Sequence, residues 1–142
     1  MQSEIESFLN EHGITFHLLT KEEANAVRGK WLQAFASKVL KEKGTAVYNG
    51  YMWHGFSFEI ENCCEGDSAL IEYQKQYQAP FVVFDEDGDF CFRCEGGHFP
   101  DLTPFENDLY VAHHNMKWTI AFTHEQPTLG PYFAISPMVP AK

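Results

Sequence analysis

Two histidines stand in apolar, strand-like segments, and each has a carboxylate nearby in the chain. His54 lies in "WHGFSFEI", and His124 is followed at once by Glu125 in "WTIAFTHE". Side chains at every second position of a strand point to the same face, and each histidine is spaced in this way from apolar residues of its segment. We therefore expect both imidazoles to point to the apolar face. An imidazole can exchange protons near neutral pH, and it can bind a ligand when a neighbouring group orients it.

The histidine pair allows two interpretations. Buried imidazoles commonly serve as hydrogen-bonded core residues, with Glu59, Glu125 or a tyrosine hydroxyl as partner. Alternatively, His54 and His124 converge on one pocket in which Glu125 orients one of them. The candidate binding pocket then consists of His54, His124, Glu125, Trp53, Trp118 and Tyr132.

Other potential ligands are poorly arranged for a metal. Cys91 and Cys94 have CxxC spacing, but they fall in a predicted strand, where residues three apart point to opposite faces. The aspartates of "DEDGD" at 85–89 lack the glycine and glutamate positions of an EF-hand loop and predict a turn. The adjacent His113 and His114 have no partner at ligand spacing and are expected in a solvated loop. We predict no metal and no cofactor.

The chain has no motif for a nucleophile or a cofactor. GxSxG, the P-loop and the dinucleotide fingerprint are absent, and His124-Glu125 lacks the second histidine of HExxH. Ser57 follows His54 by three residues, so in a strand the two side chains face opposite sides. We therefore favour a protein that is not an enzyme. A small enzyme or ligand-binding domain that uses the histidine pair is the alternative.

The composition is that of an acidic globular domain. The 142 residues include 20 Asp and Glu against 10 Lys and Arg, a formal charge of −10. Such a charge repels nucleic acid and anionic membranes and attracts basic proteins. The acidic start "MQSEIESFLNEHG" is unlike a signal peptide, and no apolar run approaches the roughly 20 residues of a membrane span. We expect a cytoplasmic protein with a basic protein partner. Thirteen Phe in so small a core also leave a homo-oligomer possible.

Two helices are predicted at the N-terminal end. Ser3 can cap a short helix that stops at Gly13, and Thr20 with Glu23 has the capping-box pattern of a second helix. The second helix is expected to end near Gly44. Its apolar side is predicted to carry Ala24, Val27, Trp31, Phe35 and Val39.

Strands predominate from Thr45 onward. Asn49-Gly50 and Asp87-Gly88 are hairpin-turn signals, "EGDSALIEYQKQYQ" predicts one further helix, and "DLYVAHH", "KWTIAFTH" and "PYFAIS" predict three strands. We predict a single α+β domain over residues 1–136, in which the N-terminal helix pair and the further helix pack on a mostly antiparallel β-sheet. Residues 137–142 are predicted to form a loose tail.

Several motifs together resemble one small bacterial family. They are Trp53-His54-x-Phe56-Ser57-Phe58-Glu59, Asp108-Leu109-Tyr110-Val111, Trp118-Thr119, Thr123-His124-Glu125 and Gly130-Pro131-Tyr132-Phe133. In combination they resemble the uncharacterised bacterial family catalogued as domain of unknown function 4275, over a stretch from Trp31 to Phe133. The resemblance implies the fold unit and the candidate site, and no activity.

The size and the acidic charge are similar in character to those of immunity proteins that neutralise toxins. Our functional hypothesis is therefore a non-enzymatic, immunity-like binding protein that blocks a basic partner.

Overall fold

The computed structural model describes residues 1–38, 52–57, 61–126 and 128–136, which form one antiparallel sheet with helices on both faces. The elements in chain order are α1 (Gln2–Glu11), β1 (Thr15–Leu18), α2 (Lys21–Phe35), α3 (His54–Ser57), β2 (Cys64–Glu65), α4 (Asp67–Gln74), β3 (Phe81–Asp85), β4 (Cys91–Glu95), a 3-10 turn (Thr103–Phe105), β5 (Leu109–His113), β6 (Trp118–Phe122) and β7 (Tyr132–Ile135). The strand order is β1-β4-β3-β5-β6-β7-β2, and all neighbours are antiparallel. The predicted α+β class is confirmed.

One face of the sheet packs against α1 and α4. Ile5 and Leu9 of α1 and Ala69 and Tyr73 of α4 are fully buried there. Each pair is four residues apart, so both members lie on the same side of their helix. Burying one aliphatic side chain of this size contributes about 1.5–3 kcal/mol, which holds these short helices to the sheet. Their partners on the strands include Phe81, Val83, Phe92, Val111, Ile120 and Phe122.

The opposite face is covered by α2 and α3. Trp31 and Phe35 of α2 are buried there, as the apolar side of the helix predicted. The indole Nε1 of Trp31 donates to Thr119 Oγ1 at 2.8 Å, and the Thr119 hydroxyl donates to the Val111 carbonyl at 2.9 Å. α1 and α2, which β1 separates in the chain, therefore pack on opposite faces of the sheet.

The start of α2 follows the prediction, whereas its end differs from it. Thr20 Oγ1 accepts a hydrogen bond from the Glu23 backbone, and the Glu23 carboxylate accepts one from the Thr20 backbone. The helix ends before Ala36, where φ is −133°, instead of continuing to Gly44. Residues after position 38, including Gly44 and the predicted turn at Asn49-Gly50, lie outside the described residues until position 52, and so does the predicted tail.

The segment around His54, predicted as a strand, is helical. The Phe56 amide donates to the Trp53 carbonyl at 2.9 Å and closes one turn. Trp53 and Phe56 both pack against Tyr132, which residues three apart in a strand cannot do because they face opposite sides. The parity argument that directed His54 to an apolar strand face is therefore wrong.

The predicted β3–β4 hairpin and the last three strands are confirmed. Cys91 is buried on the α2 side of the sheet and Cys94 on the α1 side, as expected for a CxxC pair in a strand. His113 was expected in a solvated loop, but it ends β5 and is only 7% exposed. Among the described residues, no helix is long and apolar enough to cross a membrane.

Candidate functional site

Asp108, the residue before β5, joins the segment before α3 to the loop after β6. Its Oδ1 accepts a hydrogen bond from the Trp53 indole Nε1 at 2.9 Å and another from the His124 backbone N–H at 3.1 Å. The Nδ1 of His124 lies 2.9 Å from both carboxylate oxygens. Charge-assisted bonds of this kind are stronger than neutral ones, so the 11%-exposed Asp108 side chain fixes Trp53 and His124 relative to the sheet.

Asp108 also determines the tautomer of His124. An ionised carboxylate only accepts hydrogen bonds, so Nδ1 of His124 carries a proton, and Nε2 is the ring nitrogen that faces other groups. Nε2 lies 3.6 Å from the carboxylate of Glu125. β6 ends at Phe122, and the His124 side chain is 36% exposed beyond it. The imidazole is therefore at the surface, and the expectation that it points into the core is wrong.

Trp53 forms a wall shared by both histidines. Its fully buried indole lies 4.6 Å from the ring of His54 and 6.2 Å from the ring of His124, measured between centroids. Burial lowers the pKa of His54, and the carboxylates of Glu125 and Asp108 partly oppose that shift. His54, His124 and Glu125 thus lie in one neighbourhood, as the pocket hypothesis requires.

Tyr132 joins this cluster, whereas Trp118 does not. The Tyr132 ring stacks on Trp53 with centroids 6.0 Å apart, and its buried hydroxyl has no hydrogen-bond partner among the described residues. Burial is the main cause that raises the pKa of Tyr132 to about 12. Trp118 lies on the other face of the sheet and contacts Tyr73 and Phe99 there. It belongs to the core beneath α4 and is separated from the cluster by the sheet.

Two carboxylates that the sequence analysis overlooked are central here. Asp108 is one, and Glu86 is the other. Glu86 is nearly buried, accepts hydrogen bonds from the Tyr110 hydroxyl and from the Met52 amide at 3.0 Å, and lies 3.5 Å from the Arg28 guanidinium. Burial raises the pKa of Glu86, and the hydrogen bonds and Arg28 oppose that shift. In the sequence, the only indication that Asp108 belongs to a site is its place in a motif that resembles the family. Glu86 stands in a segment that is predicted to be a turn, and nothing there indicates a site residue.

Turns at one end of the sheet concentrate carboxylates, and we call this end the acidic edge. Asp85 pairs with Leu109 and Leu109 with Phe122, so the end of β3, the start of β5 and the end of β6 coincide. The acidic edge comprises Asp85, Glu86, Asp87, Asp89, Asp108 and Glu125. Within the described part of the chain, Arg28 contacts it by donating to the carbonyls of Asp85 and Glu86.

Three aspartates of this edge lie close enough to share a cation. The carboxylate oxygens of Asp85, Asp87 and Asp89 are within 4.8 Å of one another. However, Asp85 Oδ1 accepts hydrogen bonds from the backbone amides of Asp89 and Phe90 at 2.8 and 3.2 Å. The group therefore closes the β3–β4 turn, in agreement with the interpretation of "DEDGD" as a turn.

Fold and site together define a small α+β domain in which an acidic edge holds an Asp–His pair against a buried tryptophan. The chain belongs to the family described as Domain of unknown function (DUF4275), whose profile matches residues 4–133. The match includes every residue of the Asp108 cluster. No curated protein and no solved structure matches the chain.

Proposed function

We propose that this protein is a non-enzymatic binding domain that recognises a basic protein through its acidic edge. The observation that carries the proposal is the gathering of carboxylates from three turns at one end of the sheet, in a chain of charge −10. Carboxylates arranged in this way steer a cationic partner and favour complementary charge at the contact. An immunity-like role in the cytoplasm, blocking that partner, belongs to the same proposal.

The rigidity of the edge supports this proposal. Asp85 is held by the turn that it closes, Asp108 by Trp53 and His124, and Glu86 by Tyr110. A preorganised surface loses less conformational entropy on association than a flexible one. In this proposal, the exposed Asp87 and Glu125 contact lysine or arginine side chains of the partner, and the buried carboxylates add to the field.

Affinity capture from a lysate of the source cell at low salt tests the proposal with three baits. One is wild type, one carries Asp87→Asn with Glu125→Gln, and the control carries Glu11→Gln with Glu95→Gln. Both variants remove two negative charges from exposed positions, but Glu11 and Glu95 lie away from the acidic edge.

We expect wild type and control to retain a basic protein that the edge variant binds roughly three- to tenfold more weakly, since exposed charge pairs contribute up to about 1 kcal/mol each. Calorimetry with the purified partner measures that ratio, and added salt must weaken binding. Equal weakening by both variants, or no basic protein on a folded wild-type column, contradicts the proposal.

A ligand-binding domain or small enzyme at the same cluster is the second candidate. It is favoured by the pairing of Asp108 with His124 Nδ1 and by the Trp53 wall shared with His54. In this candidate, His124 Nε2 forms a hydrogen bond with the ligand or transfers a proton to or from it, and Asp108 keeps the ring oriented.

Screening small molecules by NMR separates the two candidates. The second candidate predicts a ligand that shifts the ring signals of His54 and His124 in a saturable way. His124→Ala must abolish that response, whereas His17→Ala, at an exposed position in β1, must preserve it. A response that is unchanged by His124→Ala excludes this candidate.

A further inference from the structure

A groove lies at the end of the sheet opposite the acidic edge. β5 begins at Leu109, next to Asp108 of that edge, and ends at His113, and the turn after it lines the groove together with the second half of α2. Lys30 and Gln33 of α2, His114 and Asn115 of the turn, and Ser136 after β7 line the groove, whose volume is about 330 Å³. That volume falls at the lower end of the range of small-molecule sites.

The groove is locally cationic in an otherwise acidic protein. Lys30 lies on its wall. Burial lowers the pKa of His114, and the neighbouring charges of Arg93 and Lys117 lower it further. Burial, His114 and Lys117 likewise lower the pKa of the adjacent His113 to about 4. The field at this turn therefore favours an anion, in contrast to the field at the acidic edge.

The turn that forms one wall is internally satisfied. The Asn115 amide donates to Nδ1 of His113 at 2.9 Å, and the Met116 amide donates to the His113 carbonyl at 2.8 Å. The His114 amide donates to the Pro80 carbonyl at 3.1 Å. The side chains of Lys30, Gln33 and Asn115 make no hydrogen bond or ion pair with another described residue. These donors are consequently available to a ligand. Ala34 and Met116, both buried, supply apolar surface.

We propose that this groove binds a small organic anion, whose phosphate or carboxylate head contacts Lys30, His114 and Asn115. The apolar part of the ligand lies against Ala34 and Met116. Ammonium and amide donors that converge on one oxyanion form charge-assisted hydrogen bonds, and the apolar surface adds burial. The site lies at the far end of the sheet from the acidic edge, so it stands or falls independently of partner binding there.

NMR titration of the isotopically labelled protein with inorganic phosphate, and separately with acetate, at constant ionic strength tests this site. We expect saturable shifts of the backbone signals of Lys30, Gln33 and residues 114–116 with at least one of these anions. Saturation by phosphate alone assigns a phosphate head to the ligand, and saturation by acetate assigns a carboxylate.

Two variants with equal charge change complete the test. Lys30→Gln must weaken binding roughly tenfold, since a hydrogen bond to a charged group contributes about 1.5 kcal/mol or more. Lys75→Gln, at an exposed lysine that follows α4, must leave affinity unchanged. Shifts that grow linearly with either anion across the whole surface, or equal weakening by the two variants, overturn the proposal.

Discussion

The carboxylate of Asp108 accepts a hydrogen bond from the indole of Trp53 at 2.9 Å, although 55 positions separate the two residues in the chain. The same carboxylate holds His124, which follows it by 16 positions. The Asp108 carboxylate thus connects three segments of the chain, and the orientation of the His124 ring depends on it. Substitution of Asp108 is therefore expected to disturb the positions of both Trp53 and His124.

We expect Asp108→Ala to lower the free energy of unfolding by about 2–3 kcal/mol, because it removes the acceptor of charge-assisted bonds from Trp53 and His124. Urea denaturation followed by circular dichroism measures the change. Asp87→Ala, at an exposed position of the same edge, is the control and should stay within about 0.5 kcal/mol of wild type. Equal midpoints for wild type and Asp108→Ala contradict the prediction.

The buried hydrogen bonds from Trp31 through Thr119 to Val111 attach α2 to the sheet. Thr119→Val keeps the shape of the side chain but leaves the Trp31 indole N–H without this acceptor, so we expect a loss of about 1–3 kcal/mol. Thr119→Ser retains the hydroxyl and should recover a measurable part of that loss. The same denaturation assay compares them, and a Val variant as stable as wild type is the contrary result.

Glu86 gives a pH dependence of defined sign. Burial raises its pKa above the ordinary 4.5, so the folded protein binds the proton more tightly than the unfolded chain. The contribution of Glu86 to stability is then largest below 4.5 and is lost as pH rises through the raised pKa.

Urea midpoints between neutral pH and about 4.5 check this sign for wild type and Glu86→Gln. The urea midpoint of wild type minus that of Glu86→Gln should increase as pH falls. Glu72→Gln removes one charge from α4 and shows how much of the change comes from net charge alone. A difference that moves in favour of the variant on acidification contradicts the prediction.

Two glycines should respond in opposite ways to substitution by alanine. Gly130 has φ +91°, and an added Cβ would lie 2.9 Å from Cγ2 of Thr123 and 3.2 Å from Cε2 of Tyr132, so we expect a loss of about 1–3 kcal/mol. Gly29, in the exposed interior of α2, has open space around it, and alanine there should add about 0.5–1 kcal/mol. Thermal unfolding of both variants tests the pair. Similar shifts in the same direction contradict it.

The thiols of Cys63, Cys91 and Cys94 should react in two classes. Burial is the main cause that raises the pKa of Cys91 and of Cys94 to about 12, and each is enclosed on a different face of the sheet. Cys63 is exposed. A thiol-specific reagent at neutral pH should therefore modify Cys63 first, and Cys91 and Cys94 only after unfolding in guanidinium. Rapid modification of the CxxC pair in the folded protein is the opposing outcome.

Local sequence signals predicted the parts of the fold that neighbours in the chain determine. The capping box of Thr20 and Glu23, the turn at Asp87-Gly88 and the apolar segments of the last three strands all correspond to structure. The capping box and the turn depend on contacts within a few residues, and the strands on short apolar runs bounded by turns. The separation of Cys91 from Cys94 followed from the period-two alternation of a strand.

The failures have a common physical cause. The segment containing His54 alternates like a strand, yet Trp53 and Phe56 find their packing partner, Tyr132, from a helical turn. Trp118 was predicted to line the pocket, but it lies on the other face of the sheet, because the register of β6 places it under α4. Both outcomes depend on contacts between distant segments, which override weak local preferences.

The sequence by itself determined an acidic α+β domain of one family, with an antiparallel sheet and a pair of candidate histidines. Only the tertiary structure decided which groups surround them. Antiparallel pairing carries the end of β3, the start of β5 and the end of β6 to one edge, so Asp108 reaches both Trp53 and His124. The same pairing places the turn after β5, with its cationic surroundings, at the opposite end of the sheet, because the two termini of each strand lie at opposite ends.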